Sequence, residues 1–335
     1  ARGLVDCISS FPIIWKEQTI QVEVCIGFCI VDSGELSARK ITSKAIHASV
    51  IAKENGVGSI VNYQDQTVKK LAEEADQDLA SRIESALDSN DFSLFYQQVK
   101  PLQLATGQLP SMEMLLRLKG AVSDRWILPS EFFGFSEQNK IRSKIDLWVV
   151  KETLNWLQDN HQIRSLFSHV SINLTSETIA NPMFLITLEN LLTENSITPD
   201  FLCFEISEPD ALISIDRTRA FLTRLKALGC KTCIDDFGGQ TSIIQYLKVL
   251  DVDYLKIDGA FIRHYADNPV NALLCEMLIK VANLSAKILI AKHIEQEMVA
   301  KNLTELGIKY AQGNLFHEPE PLSNLNTSTN ICMQQ

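Results

Sequence analysis

Long hydrophobic runs are missing from this chain. The longest, such as the one ending at Leu255, fall far short of the roughly 20 apolar residues a membrane-spanning helix needs. Basic residues are the minority: 31 Lys and Arg against 41 Asp and Glu give a formal net charge of −10. That argues against a nucleic-acid polymer as main partner, because a phosphate backbone demands basic patches. A small phosphorylated ligand stays open, since a divalent cation can reverse the local sign. The familiar metal and nucleophile motifs are also absent. His47, His161, His169, His264, His293 and His317 form no HExxH and no paired metal spacing. Cys230-Lys-Thr-Cys233 is formally a CxxC, but no second pair stands at zinc-ribbon spacing. It lies within a predicted strand, so buried free thiols and a reducing, cytoplasmic setting are expected. No phosphate-cradling Gly loop and no Ser/His/Asp constellation appear. No signal peptide opens the chain, which begins Ala1-Arg2-Gly3 without Met. We expect a fragment whose parent protein carries any membrane attachment.

What is present is ordinary for a globular protein: 335 residues, 46% hydrophobic and 21% charged. That length suits one large domain and a smaller piece. Three segments separate. Residues 1–63 read as strand, strand, helix, with a β-rich stretch over 20–31 and a helix over 41–54 closed by Asn55-Gly56. Residues 64–90 carry Val68, Leu71, Leu79, Ile83 and Leu87 near helical spacing and read as a connecting helix. Residues 91–324 alternate strands and helices, and 325–335 form a tail. Strands are expected to end at Leu118, Leu174, Ser207, Phe237, Asp258, Glu295 and Phe316, with helices over 215–228 and 268–284. So many β/α units favour a closed TIM-like (β/α)8 barrel over an open doubly wound sheet, because no GxGxxG follows the first strand.

In such a barrel the site forms at the C-terminal strand ends. Those ends carry Glu113, Asn173, Glu205, Asp235-Asp236, Lys256 with Asp258, Lys292 with Glu295, and Gln312. Any one of them alone reads as a solvated loop group. Together, on adjacent strands, they make a dense set of hard oxygen ligands with a cation beside it. Carboxylates and an amide carbonyl suit Mg²⁺ or Mn²⁺, and the chemistry indicated is metal-assisted hydrolysis of a phosphate ester.

These residues also resemble a known family. Ser111-Met-Glu-Met-Leu-Leu-Arg117 is similar to the EAL signature, with Met114 where Ala is usual. Val170-Ser-Ile-Asn-Leu174, Phe204-Glu-Ile-Ser-Glu208, Ile234-Asp-Asp-Phe-Gly238, Leu255-Lys-Ile-Asp258 and Gln312-Gly-Asn-Leu-Phe316 resemble its later elements, in order. The resemblance implies a domain that binds cyclic di-GMP and, in active members, linearises it to pGpG. It implies a first metal held by Glu113, Asn173, Glu205 and Asp235, and a second with help from Asp235 and Asp236. It implies Lys256, Glu113 and Asp235 in catalysis, and Arg117, Gln312, Glu208 and Asp258 on the ligand side, with Glu208 bracing the loop after Gly238. The partners implied are cyclic di-GMP and a protein partner or second copy.

Two departures stand out. The family's AEGVE is here Ala291-Lys-His-Ile-Glu295, so Lys292 replaces a Glu of the second metal position; the alternative is that Lys292 swings to solvent. The loop after Asp-Asp-Phe-Gly runs Gly238-Gly-Gln-Thr-Ser-Ile243 instead of approximately GTGYSS. The Phe237-Gly-Gly239 and Lys256-Ile-Asp-Gly259 variants resemble degenerate, LapD-like receptors that bind without cleaving. The readings left open are a degenerate receptor, a weakened phosphodiesterase, and a scaffold that has lost the ligand. The amino-terminal segment resembles the back half of a GGDEF domain at Phe11-Pro-Ile-Ile-Trp15, Val24-Cys-Ile-Gly27 and Ala52-Lys-Glu-Asn-Gly56. The GGDEF signature itself is missing, which implies no synthesis of cyclic di-GMP.

Overall fold

The computed structural model describes all residues except 16–17, 21, 32–37, 90, 104–107, 121–124, 133–140, 196, 240–246, 258, 264–268 and 326–335. The chain divides into two units: Ala1–Ser89 with Ile127–Asn139, and Asn90–Trp126 with Lys140–Gln335.

In the first unit, helix Ala38–Glu54 connects two strands, Ile26–Phe28 and Ile60–Asn62, which pair in parallel. Ala48 and Ala52 on the helix pack with Val61 and Val68 as a small apolar cluster. The helix must lie close to the strand, because a Cβ on Gly27 would come within 1.9 Å of the Ser49 amide nitrogen. Gly56, at φ +97°, ends the helix as the Asn-Gly pair predicts. Helix Gln66–Asp88 follows, its first turn closed by Asp65, whose side chain accepts from the Thr67 amide.

The second unit is a closed barrel of eight strands: β1 (Phe92–Pro101), β2 (Ser111–Lys119), β3 (Val170–Leu174), β4 (Leu202–Ser207), β5 (Lys231–Phe237), β6 (Tyr254–Ile257), β7 (Ile288–Ala291) and β8 (Tyr310–Gln312). The ring runs β1-β8-β7-β6-β5-β4-β3-β2 and closes through β1–β2. Strands β2 to β8 are parallel, and β1 runs antiparallel to both neighbours. The reversal has a simple cause. Residues 102–110 are too few for the helical crossover a parallel return requires, so β1 and β2 pair as neighbours. The sequence pattern did not mark β1 as a strand, because its burial does not alternate. The last two strands also stop earlier than expected, at Ala291 and Gln312 rather than Glu295 and Phe316.

The parallel strands are buried on both faces and read as apolar runs, as in Leu202–Ile206. Helices Ile141–Asp159, Pro182–Glu194, Ile215–Ala227 and Pro269–Leu284 return the chain between them. Cys203, Cys230, Cys233 and Cys275 are free and buried, as the scattered cysteines implied. No helix among the described residues is long and apolar enough to cross a membrane.

Candidate functional site

The C-terminal ends of the parallel strands bring the acidic residues together. Glu113 sits on β2, Asn173 on β3, Glu205 on β4, Asp235 and Asp236 on β5, and Lys256 on β6. Lys292 follows β7, and Gln312 closes β8. Cross-strand register places Glu113 opposite Ser171 and Asn173 opposite Glu205.

Two consecutive aspartates on a regular strand would point to opposite faces. Here β5 carries a bulge between Ile234 and Phe237, and Asp236 adopts φ +53°. The irregularity turns both carboxylates toward one point, a use of bulges that recurs beside functional sites. Asp235 Oδ1 also accepts from the Asp236 amide at 2.8 Å, which holds the kink.

Two ammonium groups organise the cluster. Lys256 is fully buried and donates to Glu113 Oε2 at 2.7 Å and to Glu205 Oε2 at 2.6 Å. Lys292 donates to Asp235 Oδ1 at 2.7 Å, Asp235 Oδ2 at 2.8 Å and Asp236 Oδ1 at 2.9 Å. Lys292 therefore points inward, and the solvent-facing alternative is excluded. Around them, Asn173 Nδ2 donates to Glu113 Oε1 at 2.6 Å, and Gln312 Nε2 donates to Glu113 Oε2 at 2.7 Å.

The carboxylates respond differently to this setting. Burial works to raise the pKa of Glu113, but Lys256 and then Lys292 outweigh it and bring it to about 2. Burial dominates at Glu205 and lifts it to about 7 despite Lys256, with Glu113 and Asp235 adding repulsion. Lys292 resists deprotonation: burial opposes its charge most strongly, but Asp235, Glu113 and Asp236 together outweigh it.

The donor set can be tested against the divalent ions implied above. Glu205 Oε1 is buried without a hydrogen-bond partner, an open acceptor amid hard oxygen ligands. Glu113, Asn173 and Glu205 thus suit one cation, which would supply Lewis acidity to a phosphoryl oxygen. Asp235 does not join them here, because Lys292 engages both its oxygens. The position beside Asp235 and Asp236 does not fit a second, because Lys292 already engages three of its oxygens. In the arrangement described, and among the described residues, no three Asp, Glu, His or Cys side chains converge to hold an ion.

Other expected residues lie further out. Arg117 shares a strand face with Glu113, donates to the Leu116 carbonyl at 2.8 Å, and stacks over Phe95 at 5.3 Å. Glu113 acts on it electrostatically, but among the described residues no hydrogen bond or ion pair joins it to the carboxylate cluster. Glu208 is fully buried, and its Oε2 accepts from the Gly238 amide at 2.7 Å. That is a brace for the turn after β5 rather than a ligand-facing position. Asp258 and the loop positions Gln240 to Ile243 lie outside the described residues.

One contributor escaped the sequence reading. Gln97 on β1 pairs in register with Glu113 and accepts from Gln312 Nε2 at 3.0 Å. Its signal was a polar pair, Gln97-Gln98, between the apolar stretch Phe92-Ser-Leu-Phe-Tyr96 and Val99. Gln97, Glu113, Leu115, Lys292, Gln312 and Pro319 border a cavity of about 280 Å³ at the barrel mouth.

A closed barrel with one reversed strand, carrying this acidic cluster and two lysines at its mouth, defines the class. The sequence profile of the EAL domain matches residues 80–319, and the chain belongs to the EAL domain family. Among curated proteins it is 28% identical over 326 residues to the cyclic di-GMP phosphodiesterase PdeF of Escherichia coli (strain K12), covering 94% of this chain and 41% of that protein. Among solved structures it resembles the FimX EAL domain of Pseudomonas aeruginosa bound to c-di-GMP, with 27% identity and a TM-score of 0.66 over 72% of this chain and 96% of that one. It likewise resembles the PaMucR phosphodiesterase in complex with c-di-GMP, with 27% identity and a TM-score of 0.67 over 74% and 100% of the two chains. The chain spans under half the length of the curated relatives it matches.

Proposed function

We propose that this chain is a cyclic di-GMP receptor whose barrel mouth binds the dinucleotide and hydrolyses it weakly or not at all. One observation carries the reading: the Lys292 ammonium lies against Asp235 and Asp236, where the family resemblance implies a metal-binding Glu. A two-ion displacement needs ions on both the attacking and the leaving oxygen. With one of those positions held by an ammonium, turnover is disabled while the remaining groups can still bind.

The chain's own residues divide the work as follows. Gln97 and Gln312 hold each other and Glu113, shaping one wall of the cavity. Arg117, set outward on the face of Glu113, offers a planar donor to a phosphate or base. Lys256 binds Glu113 and Glu205 in place, and Glu208 holds the turn after Asp235 and Asp236 through Gly238. The lysines lower the negative charge that a phosphodiester would otherwise meet.

A weak single-ion phosphodiesterase is the second reading, and the open Glu205 Oε1 favours it. In either case we assign residues 1–63 to a GGDEF-like remnant, 64–90 to a connecting helix and 91–324 to the EAL domain. We place the chain in the cytoplasm, in a larger protein that passes the signal to a protein partner or a second copy.

Calorimetric titration of cyclic di-GMP into the chain with Mn²⁺, followed by chromatography of the same sample, tests this. Binding with intact ligand recovered supports the receptor. Rapid formation of pGpG would overturn it in favour of the enzyme, and absence of binding at high micromolar ligand would leave a scaffold.

A further inference from the structure

The geometry around Lys292 points to more than a missing ligand. An ammonium has three N–H donors, and Lys292 places all three on carboxylate oxygens of Asp235 and Asp236 within 2.9 Å. The side chain is only 14% exposed. The segment that delivers it is pinned on both sides. His293 follows in the left-handed region at φ +57°, and its ring lies against Gly259. A Cβ on Gly259 would come within 2.1 Å of His293 Cδ2, so the glycine is what admits the ring. Ile294 then donates to the Gln312 carbonyl at 3.1 Å and accepts from the Leu315 amide at 3.0 Å. Gly313 leaves room for that crossing, since a Cβ there would lie 2.2 Å from the Ile294 carbonyl oxygen.

We infer that Lys292 is a built-in cation that replaces one divalent ion, so that the site takes at most one such ion, on the Glu205 side. A dication beside Asp235 and Asp236 would have to displace Lys292 from three aspartate oxygens. At about 4 Å from that ammonium it is disfavoured by more than ~10³-fold at an effective dielectric near 20. The charge it would neutralise at Asp235 and Asp236 is already partly neutralised. On the other side Lys256 engages only Oε2 of Glu205, and Glu205 Oε1 remains open. The inference deepens the receptor reading and rests on it only for the consequence; the ion count stands or falls by itself.

The test is a count of Mn²⁺ on the full chain by equilibrium dialysis, with electron paramagnetic resonance of the same samples. The wild type should hold no more than one Mn²⁺ per chain, without the spin coupling of a close pair. Lys292→Glu should raise the count to two and introduce that coupling, and Lys292→Gln should raise it partway. Two coupled ions in the wild type would overturn the inference. So would a count unchanged in both variants when circular dichroism shows them folded. If neither variant folds, the wild-type count decides. Cyclic di-GMP titration is run separately with Mn²⁺ present: absence of binding there would sink the receptor reading and leave the ion count, taken without ligand, untouched.

Discussion

Replacing Lys292 by Met keeps most of the side chain's length and apolar bulk and deletes its charge. The structure then leaves Asp235 and Asp236 adjacent, with no ammonium between them. Each ion pair at about 4 Å contributes roughly 4 kcal/mol at an effective dielectric of 20. Much of that is offset by the cost of burying the ammonium, and removing one partner of a buried pair typically costs about 3–5 kcal/mol. Asp236 is half exposed, its side chain at 46%, so water screens its share. We therefore expect a loss near the lower end, about 3 kcal/mol, in urea denaturation at pH 7 without divalent ions. The loss should shrink towards pH 4, because burial raises the pKa of Asp235 and, unpaired, it can take up a proton. Mn²⁺ should restore stability to the variant by occupying the vacated position, by about 2.7 kcal/mol at a hundredfold excess over its Kd. A loss below about 0.5 kcal/mol, or a variant indifferent to Mn²⁺, would refute the account of Lys292 as an internal counter-ion.

Further expectations concern neighbouring groups. Lys256→Met strands Glu113 and Glu205 in a buried setting and should cost about 3–5 kcal/mol at neutral pH; a chemical-denaturation midpoint equal to wild type would contradict the pairing. The raised pKa of Glu205, about 7 against an ordinary 4.5, means its carboxyl favours the fold fully below about 4.5, with that contribution lost as pH rises through 7. An ion on the Glu205 side needs the ionised form, so Mn²⁺ affinity should climb between pH 6 and 8 with proton release. Calorimetry in buffers of different ionisation enthalpy reads this, and a flat profile would count against Glu205 as a ligand. His293→Gly relieves the left-handed backbone and should stabilise by about 0.5–1 kcal/mol. Gly259→Ala should destabilise by about 1–3 kcal/mol through its collision with the His293 ring. Combined, the two changes should be clearly non-additive, and strict additivity would show that the ring does not rest on Gly259. If any turnover is found, Glu113→Ala should abolish it, as chromatographic detection of pGpG would show.

The strand-ending motifs were legible in the sequence because parallel strands buried on both faces must be apolar throughout, so a carboxylate at the end of such a run stands out. Glu113, Asn173, Glu205, Asp235, Lys256 and Gln312 were found in this way, as was the exchange at Lys292. The sequence thereby determined the β/α order, the barrel and the family. Tertiary structure alone decided the rest. Strand β1 and its Gln97 came to light only through pairing with β2 and β8, since its burial does not alternate and its direction follows from a short connection. Whether Lys292 faced solvent or the aspartates depended on the bulge in β5, the left-handed turn at His293 and the space above Gly259. These are contacts among residues far apart in the chain, and no local pattern encodes where a flexible side chain comes to rest once the fold has brought its partners to it.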